Sequence, residues 1–121
     1  VITECRKYDF AMLENFHTSE MVGSGVMWLR KAPEGVYERF AANPQRIIDH
    51  YLQAKVGPYM GDQAYIWDTL DRKVDTLKMP EIRSYKKHCR NGLPEGTSIV
   101  CFHGRPRPTE INPKWLQENW S

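Results

Sequence analysis

Residues 99–108 read IVCFHGRPRP, an apolar run that turns abruptly into a histidine, a glycine and two arginines alternating with prolines. With Thr97 and Ser98 in front of it, the run TSIVCF is β-branched and continuously apolar, the pattern of a strand covered on both faces. A covered strand needs layers on either side, and strands mixed with helices point to α/β, a mixed sheet flanked by helices. In open α/β sheets ligands bind beyond the carboxyl ends of the strands. His103 stands at that end, where an imidazole can ligate a metal or contact a phosphate. The alternative is a histidine that only hydrogen-bonds at a strand terminus. Gly104 follows it, and Pro106 and Pro108 stiffen the loop by fixing φ. Arg105 and Arg107 carry planar guanidinium groups suited to phosphate oxygens. Stiffening is useful if both must point at one anion; otherwise the segment is a solvated basic turn.

Working outward, residues 112–113 (Asn-Pro) open a last short helix, with Trp115, Leu116 and Trp120 available to dock it. Upstream, residues 91–96 (NGLPEG) are turn-rich, and residues 82–87 (IRSYKK) form a short strand. The stretch Tyr85, Lys86, Lys87, His88 and Arg90 is either a strand edge protected by lysines or a holder of charged substrate. Residues 61–70 restart a helix through Ala64, Ile66, Trp67 and Leu70, with Asp62 suited to its dipole. Asp62 and Gln63 can each accept hydrogen bonds from a polyol, and Gln63 can also donate; an ordinary helix start is the alternative. Gly57-Pro58 breaks the helix before it. That helix begins at Pro44, with Asn43 as its cap and Ile47, Ile48, Tyr51 and Leu52 as one apolar stripe. Pro33 opens another, with Val36 and Phe40 one turn apart. Residues 22–29 (VGSGVMWL) are apolar, and Gly23, Ser24 and Gly25 permit close approach to another element or a ligand. Residues 8–16 (YDFAMLENF) form a further strand.

The 121 residues suffice for one modest core, read as a single domain spanning residues 1–121. Seventeen basic against 15 acidic residues leave a net charge of +2, which gives no basis for sequence-independent nucleic-acid binding. No run is long and apolar enough to span a membrane, and no signal-peptide core stands near the start. Cys5, Cys89 and Cys101 are odd in number and lack C-x-x-C spacing, fitting neither a disulfide scaffold nor a structural zinc site. A reducing, cytoplasmic compartment is expected. Cys101, between Val100 and Phe102, reads as a small core residue. His17, His50 and His88 show no ligand-set spacing. Anion binding by a small non-enzymatic α/β module, through His103, Arg105 and Arg107, is one reading of these features. Stacking of nucleic-acid bases on Trp115 and Trp120 is disfavoured by the near-neutral charge.

Three pieces in this order, GSGVMWL at residues 23–29, GDQAYIW at 61–67 and FHGRPRP at 102–108, together resemble the C-terminal half of GT-A-type nucleotide-sugar glycosyltransferases. The likeness is to glycosyltransferase family eight and to related bacterial and phage proteins, and it is closer to glycosyltransferase-like bacterial proteins with an H-G-R-P-R-P ending than to characterised galactosyltransferases. It implies a partial GT-A-like sheet and metal-dependent transfer of a sugar from a nucleotide-sugar donor to an acceptor. By position, His103 would complete a Mn²⁺ (or Mg²⁺) site with the family's D-x-D aspartates, and Gly104, Arg105 and Arg107 would lie by the donor diphosphate. The longer family motif uses a lysine there. Asp62 and Gln63 would be the catalytic pair facing donor sugar and acceptor, and Gly23, Ser24 and Gly25 would line the acceptor side. No D-x-D occurs in the sequence. The strand-like opening VIT then suggests a break just after those aspartates, so that the chain is the acceptor-side portion of a larger fold, inactive alone, with an uncovered sheet edge prone to self-association.

Overall fold

The computed structural model describes residues 1–53 and 59–119. The chain is mixed α/β and divides into two compact units, Val1–Lys78 and Met79–Ser121. The Gly57-Pro58 helix break and Trp120 lie outside the described residues.

In the first unit the opening residues form a helical turn, α1 (Ile2–Cys5), and not the expected strand. The amide of Cys5 bonds back to the carbonyl of Val1 at 3.1 Å, which closes the turn. β1 (Phe10–Glu14) is the central strand of a three-stranded mixed sheet, antiparallel to β2 (Val22–Leu29) and parallel to β3 (Asp75–Leu77). Ala11, Met12, Leu13, Val22 and Leu77 are its buried centre. The bounds of β2 coincide with the apolar stretch read from the sequence. Its pairing is interrupted, however: Met12 faces Met27 while Leu13 faces Gly23, so residues 24–26 bulge out of register.

Three helices complete this unit. α2 (Val36–Ala42) starts three residues after Pro33, from Gly35 at φ 81°, a conformation that glycine adopts without a Cβ penalty. α3 (Pro44–Gln53) begins where the proline suggests, and Asn43 caps it by accepting the amide of Arg46 at 3.2 Å. α4 (Gly61–Thr69) carries Asp62 in its first turn. Tyr51, Ala64 and Tyr65 form a second buried cluster, flanked by Val36, Ile47, Tyr59 and Ile66. Ile48 and Leu52, on the same apolar stripe as Tyr51, remain exposed at 39% and 54%.

The second unit holds two parallel strands, β4 (Ile82–Ser84) and β5 (Ile99–Cys101), paired Ile82 to Ile99 and Ser84 to Cys101. Neither matches its expected extent. β4 ends at Ser84 because the chain turns into a π-helical segment, Tyr85–Cys89, whose start the Ser84 hydroxyl caps by accepting the Lys87 amide at 3.3 Å. Lys86 and Lys87 therefore lie on a helical turn and not along a strand edge. β5 spans three residues and, among the described residues, pairs only with β4; Ile99 is exposed, Val100 half-buried and Cys101 buried. The strand covered on both faces is thus corrected to a short strand with one covered end. Phe102 leaves the ladder to stack on Tyr85, ring centroids 4.8 Å apart, and Gly104 turns the chain at φ 69°. A 3₁₀ turn (Pro108–Glu110) and α5 (Lys114–Asn119), docked by buried Leu116, end the unit.

Candidate functional site

The residues singled out above fall into two clusters, one in each unit. In the first, the bulge of β2 frees Ser24 from strand pairing, and its hydroxyl donates to Asp62 Oδ1 at 3.0 Å. Two of the three motifs, 38 residues apart in sequence, therefore touch. Ser24 is half-buried and Gly25 exposed. Gly23 is not a steric necessity: a Cβ there would meet the Leu13 carbonyl oxygen at 3.8 Å, ordinary contact. Asp62 is exposed in the first turn of α4, where the free amide groups favour an anion, and Gln63 is half-buried beside it.

In the last turn of α4, Asp68 centres a polar knot that sequence reasoning did not find. Tyr51 Oη donates to Asp68 Oδ2 at 3.1 Å, the Tyr59 hydroxyl donates to the same oxygen, and Arg72 Nε lies 3.5 Å from Oδ1. Burial, then the Asp68 charge, pushes the Tyr51 phenol up to about 12; the hydrogen bond to Asp68, then burial, raises that of Tyr59. This ties α3 to α4 and holds the helix that presents Asp62. Its only sequence signal is the i, i+4 spacing of Asp68 and Arg72.

In the second unit Ser84 is the hub. It is completely buried, its Oγ lies 2.7 Å from His103 Nε2, and its amide donates to His88 Nδ1 at 3.0 Å. The serine–histidine distance suits a nucleophile and its base, but a serine with no exposed surface cannot meet a substrate. Ser84 instead orients His103, whose ring is half-buried. Burial, then the positive charges of Arg83 and Lys87, pushes the His88 imidazole down, which keeps Nδ1 available as an acceptor.

Lys86 belongs to the same cluster. A Cβ built on Gly104 would stand 3.3 Å from Lys86 Nζ, so the half-buried ammonium lies over the glycine backbone next to His103. Arg105 does not share this focus. Its guanidinium is ion-paired with Glu110, and the other Glu110 oxygen accepts the Arg107 amide at 3.0 Å. Arg105 thus braces the loop, the Arg107 side chain is exposed, and the cation over the glycine is Lys86. The missed residue is Ser84; its signal was the serine three positions before Lys87, a cap spacing hidden inside an apparent strand.

Cys89 and Cys101 are buried, and burial pushes both thiols up, as expected of core residues. Among the described residues no three His, Cys, Asp or Glu side chains converge as metal ligands. With Nε2 of His103 on Ser84, these residues do not by themselves make a metal site. Among the described residues, no helix is long and apolar enough to cross a membrane. No protein-family model, no curated protein and no solved structure matches the chain.

Proposed function

We propose that this chain is the acceptor-side portion of a GT-A-like glycosyltransferase, with Ser24 and Asp62 facing the sugar that is transferred. The observation that carries this reading is the contact between the Ser24 hydroxyl and Asp62 Oδ1. The resemblance assigns these residues to the acceptor side and to the catalytic pair, and composition alone gives no reason for them to meet. In the reaction the acceptor oxygen forms a bond to the anomeric carbon. The bond from that carbon to the donor diphosphate breaks, and the nucleoside diphosphate leaves with the electron pair. Asp62 takes the proton of the acceptor hydroxyl, and Gln63 hydrogen-bonds the sugar. A GT-A relation would bring Mn²⁺ or Mg²⁺, which would stabilise the charge of the leaving diphosphate. Turnover is expected only together with a nucleotide-binding, D-x-D-containing half. Three free cysteines fit a cytoplasmic setting.

Saturation-transfer NMR of the 121-residue chain with UDP-glucose, UDP-galactose and GDP-mannose tests the reading. Saturation should reach the sugar protons of at least one donor and be lost in Asp62→Ala. Equal transfer in both proteins, or none in either, would overturn it.

A specific observation also favours anion binding by the second unit, whatever the fate of glycosyl transfer. Lys86 Nζ over Gly104, beside His103, is a cationic group next to an open backbone turn. Calorimetric titration with inorganic pyrophosphate should give binding in the native chain and at least about tenfold weaker binding in Lys86→Met, the loss of one charge-assisted contact.

A further inference from the structure

The first unit contains a cleft of about 540 Å³, within the range of small-molecule sites. One wall is the outer part of β2, with Met27 and Leu29; the others are Phe40 of α2 and Ile48 and Leu52 of α3. These five side chains are apolar, yet all are substantially exposed. Among the described lining residues only Asp62 bears a formal charge. The Tyr65 phenol, also on the wall, already donates to the Val36 carbonyl at 2.6 Å, and that of Tyr51 donates to Asp68. Tyr37 adds an exposed phenol to the lining. The charged handle is the Asp62 carboxylate, which keeps acceptor capacity beyond its bond from Ser24.

A ligand complementary to this shape is long and aliphatic, with a single hydrogen-bond donor at one end. A sugar acceptor dominated by hydroxyl groups would leave most of them unpaired against these walls. We propose that the cleft binds an aliphatic alcohol, its chain along α2 and α3 and its hydroxyl donating to Asp62. On the glycosyltransferase reading above, on which the word acceptor rests, this ligand is the acceptor. The cleft is continuous with Asp62, so burying the chain would deliver the hydroxyl oxygen to the residue that takes its proton.

Displacement of the fluorescent apolar probe N-phenyl-1-naphthylamine from the 121-residue chain provides the test, with farnesol and the matching hydrocarbon farnesene as competitors. Farnesol should displace the probe and compete about tenfold better than farnesene, the worth of one hydrogen bond to a charged group. That advantage should vanish in Asp62→Ala while farnesene competes as before. Leu29→Glu puts a charge on the wall from an exposed strand position, and Ala32→Trp fills the cleft from an exposed loop position; each should weaken farnesol at least about tenfold. If one variant fails to fold, the other still decides. Absence of displacement, equal competition by farnesol and farnesene, or binding indifferent to both cleft variants overturns the proposal. Failure here with Asp62-dependent saturation of donor sugar protons retained removes the aliphatic ligand and keeps the transferase. Farnesol binding without any donor contact removes the transferase and keeps the ligand class.

Discussion

The Ser24 hydroxyl reaches Asp62 across 3.0 Å because β2 does not run straight. Residues 24–26 fall out of the ladder with β1, and the bulge turns a strand residue toward the first turn of α4. A bulge is costly in pairing and is retained where it re-aims a side chain. Neither residue is buried, so the pair adds little to stability, and its interest lies in what it presents. Ser24→Ala should change the free energy of urea unfolding by less than about 1 kcal/mol.

Ser84→Ala should be far more damaging. It removes a fully buried hydroxyl that meets both His103 Nε2 and the Lys87 amide. Leaving those groups short of a partner is expected to cost about 2–3 kcal/mol in urea unfolding followed by fluorescence. Combining it with His103→Leu should cost about 1 kcal/mol less than the two single changes together, since the orphaned imidazole is gone. Strict additivity would show that the pair does not couple.

Gly104→Ala introduces a Cβ at φ 69° and pushes on Lys86 Nζ. The conformational part alone is about 1–2 kcal/mol. Gly104→Asn should be milder, because asparagine tolerates the left-handed region. Thermal denaturation should rank native above Gly104→Asn above Gly104→Ala; similar loss from Gly104→Ala and Gly104→Asn would place the cost in the clash with Lys86 instead.

Two groups give opposite pH signatures. The Tyr51 phenol stands at about 12 against an ordinary 10.0, so the folded state favours its proton. Its contribution is fully present below pH 10 and is lost as pH rises through 12. Tyr51→Phe should flatten the alkaline limb of the stability curve. His88 is depressed below its ordinary 6.5 by burial and by Arg83 and Lys87, so the folded state favours the neutral ring. Its contribution is present above pH 6.5 and is lost as pH falls through the lowered value. An NMR titration of the ring protons should find His88 titrating below the ordinary 6.5, and His88→Asn should reduce the loss of stability below pH 6.5.

Parts of this structure are legible in the residues. The apolar run at 22–29 marks β2, Pro44 and Asn43 mark the start of α3, and the Asp62 turn starts a helix. These signals are local, resting on a backbone preference or a cap within one turn. What was not legible is non-local. A run such as TSIVCF does not reveal how many layers cover it, and Ile99 stays exposed where, among the described residues, only β4 pairs with β5. Lys86 and Lys87 looked like a strand edge because the cap that diverts the chain is the serine just before them. Arg105 looked free to hold an anion because its partner Glu110 stands five residues on, at no helical spacing. The bulge that brings Ser24 to Asp62 has no signature beyond two glycines.

The most direct measurement is the map of backbone amide shifts in the ¹⁵N-labelled chain titrated with UDP-galactose and, separately, with pyrophosphate. We expect the sugar nucleotide to move the amides of Ser24 and Asp62, and pyrophosphate to move those of His103 and Gly104 without disturbing Ser24 or Asp62. If the sugar nucleotide moves only the His103–Gly104 amides and leaves Ser24 and Asp62 untouched, the bulged serine and its carboxylate do not face a transferred sugar, and the chain binds anions and nothing more.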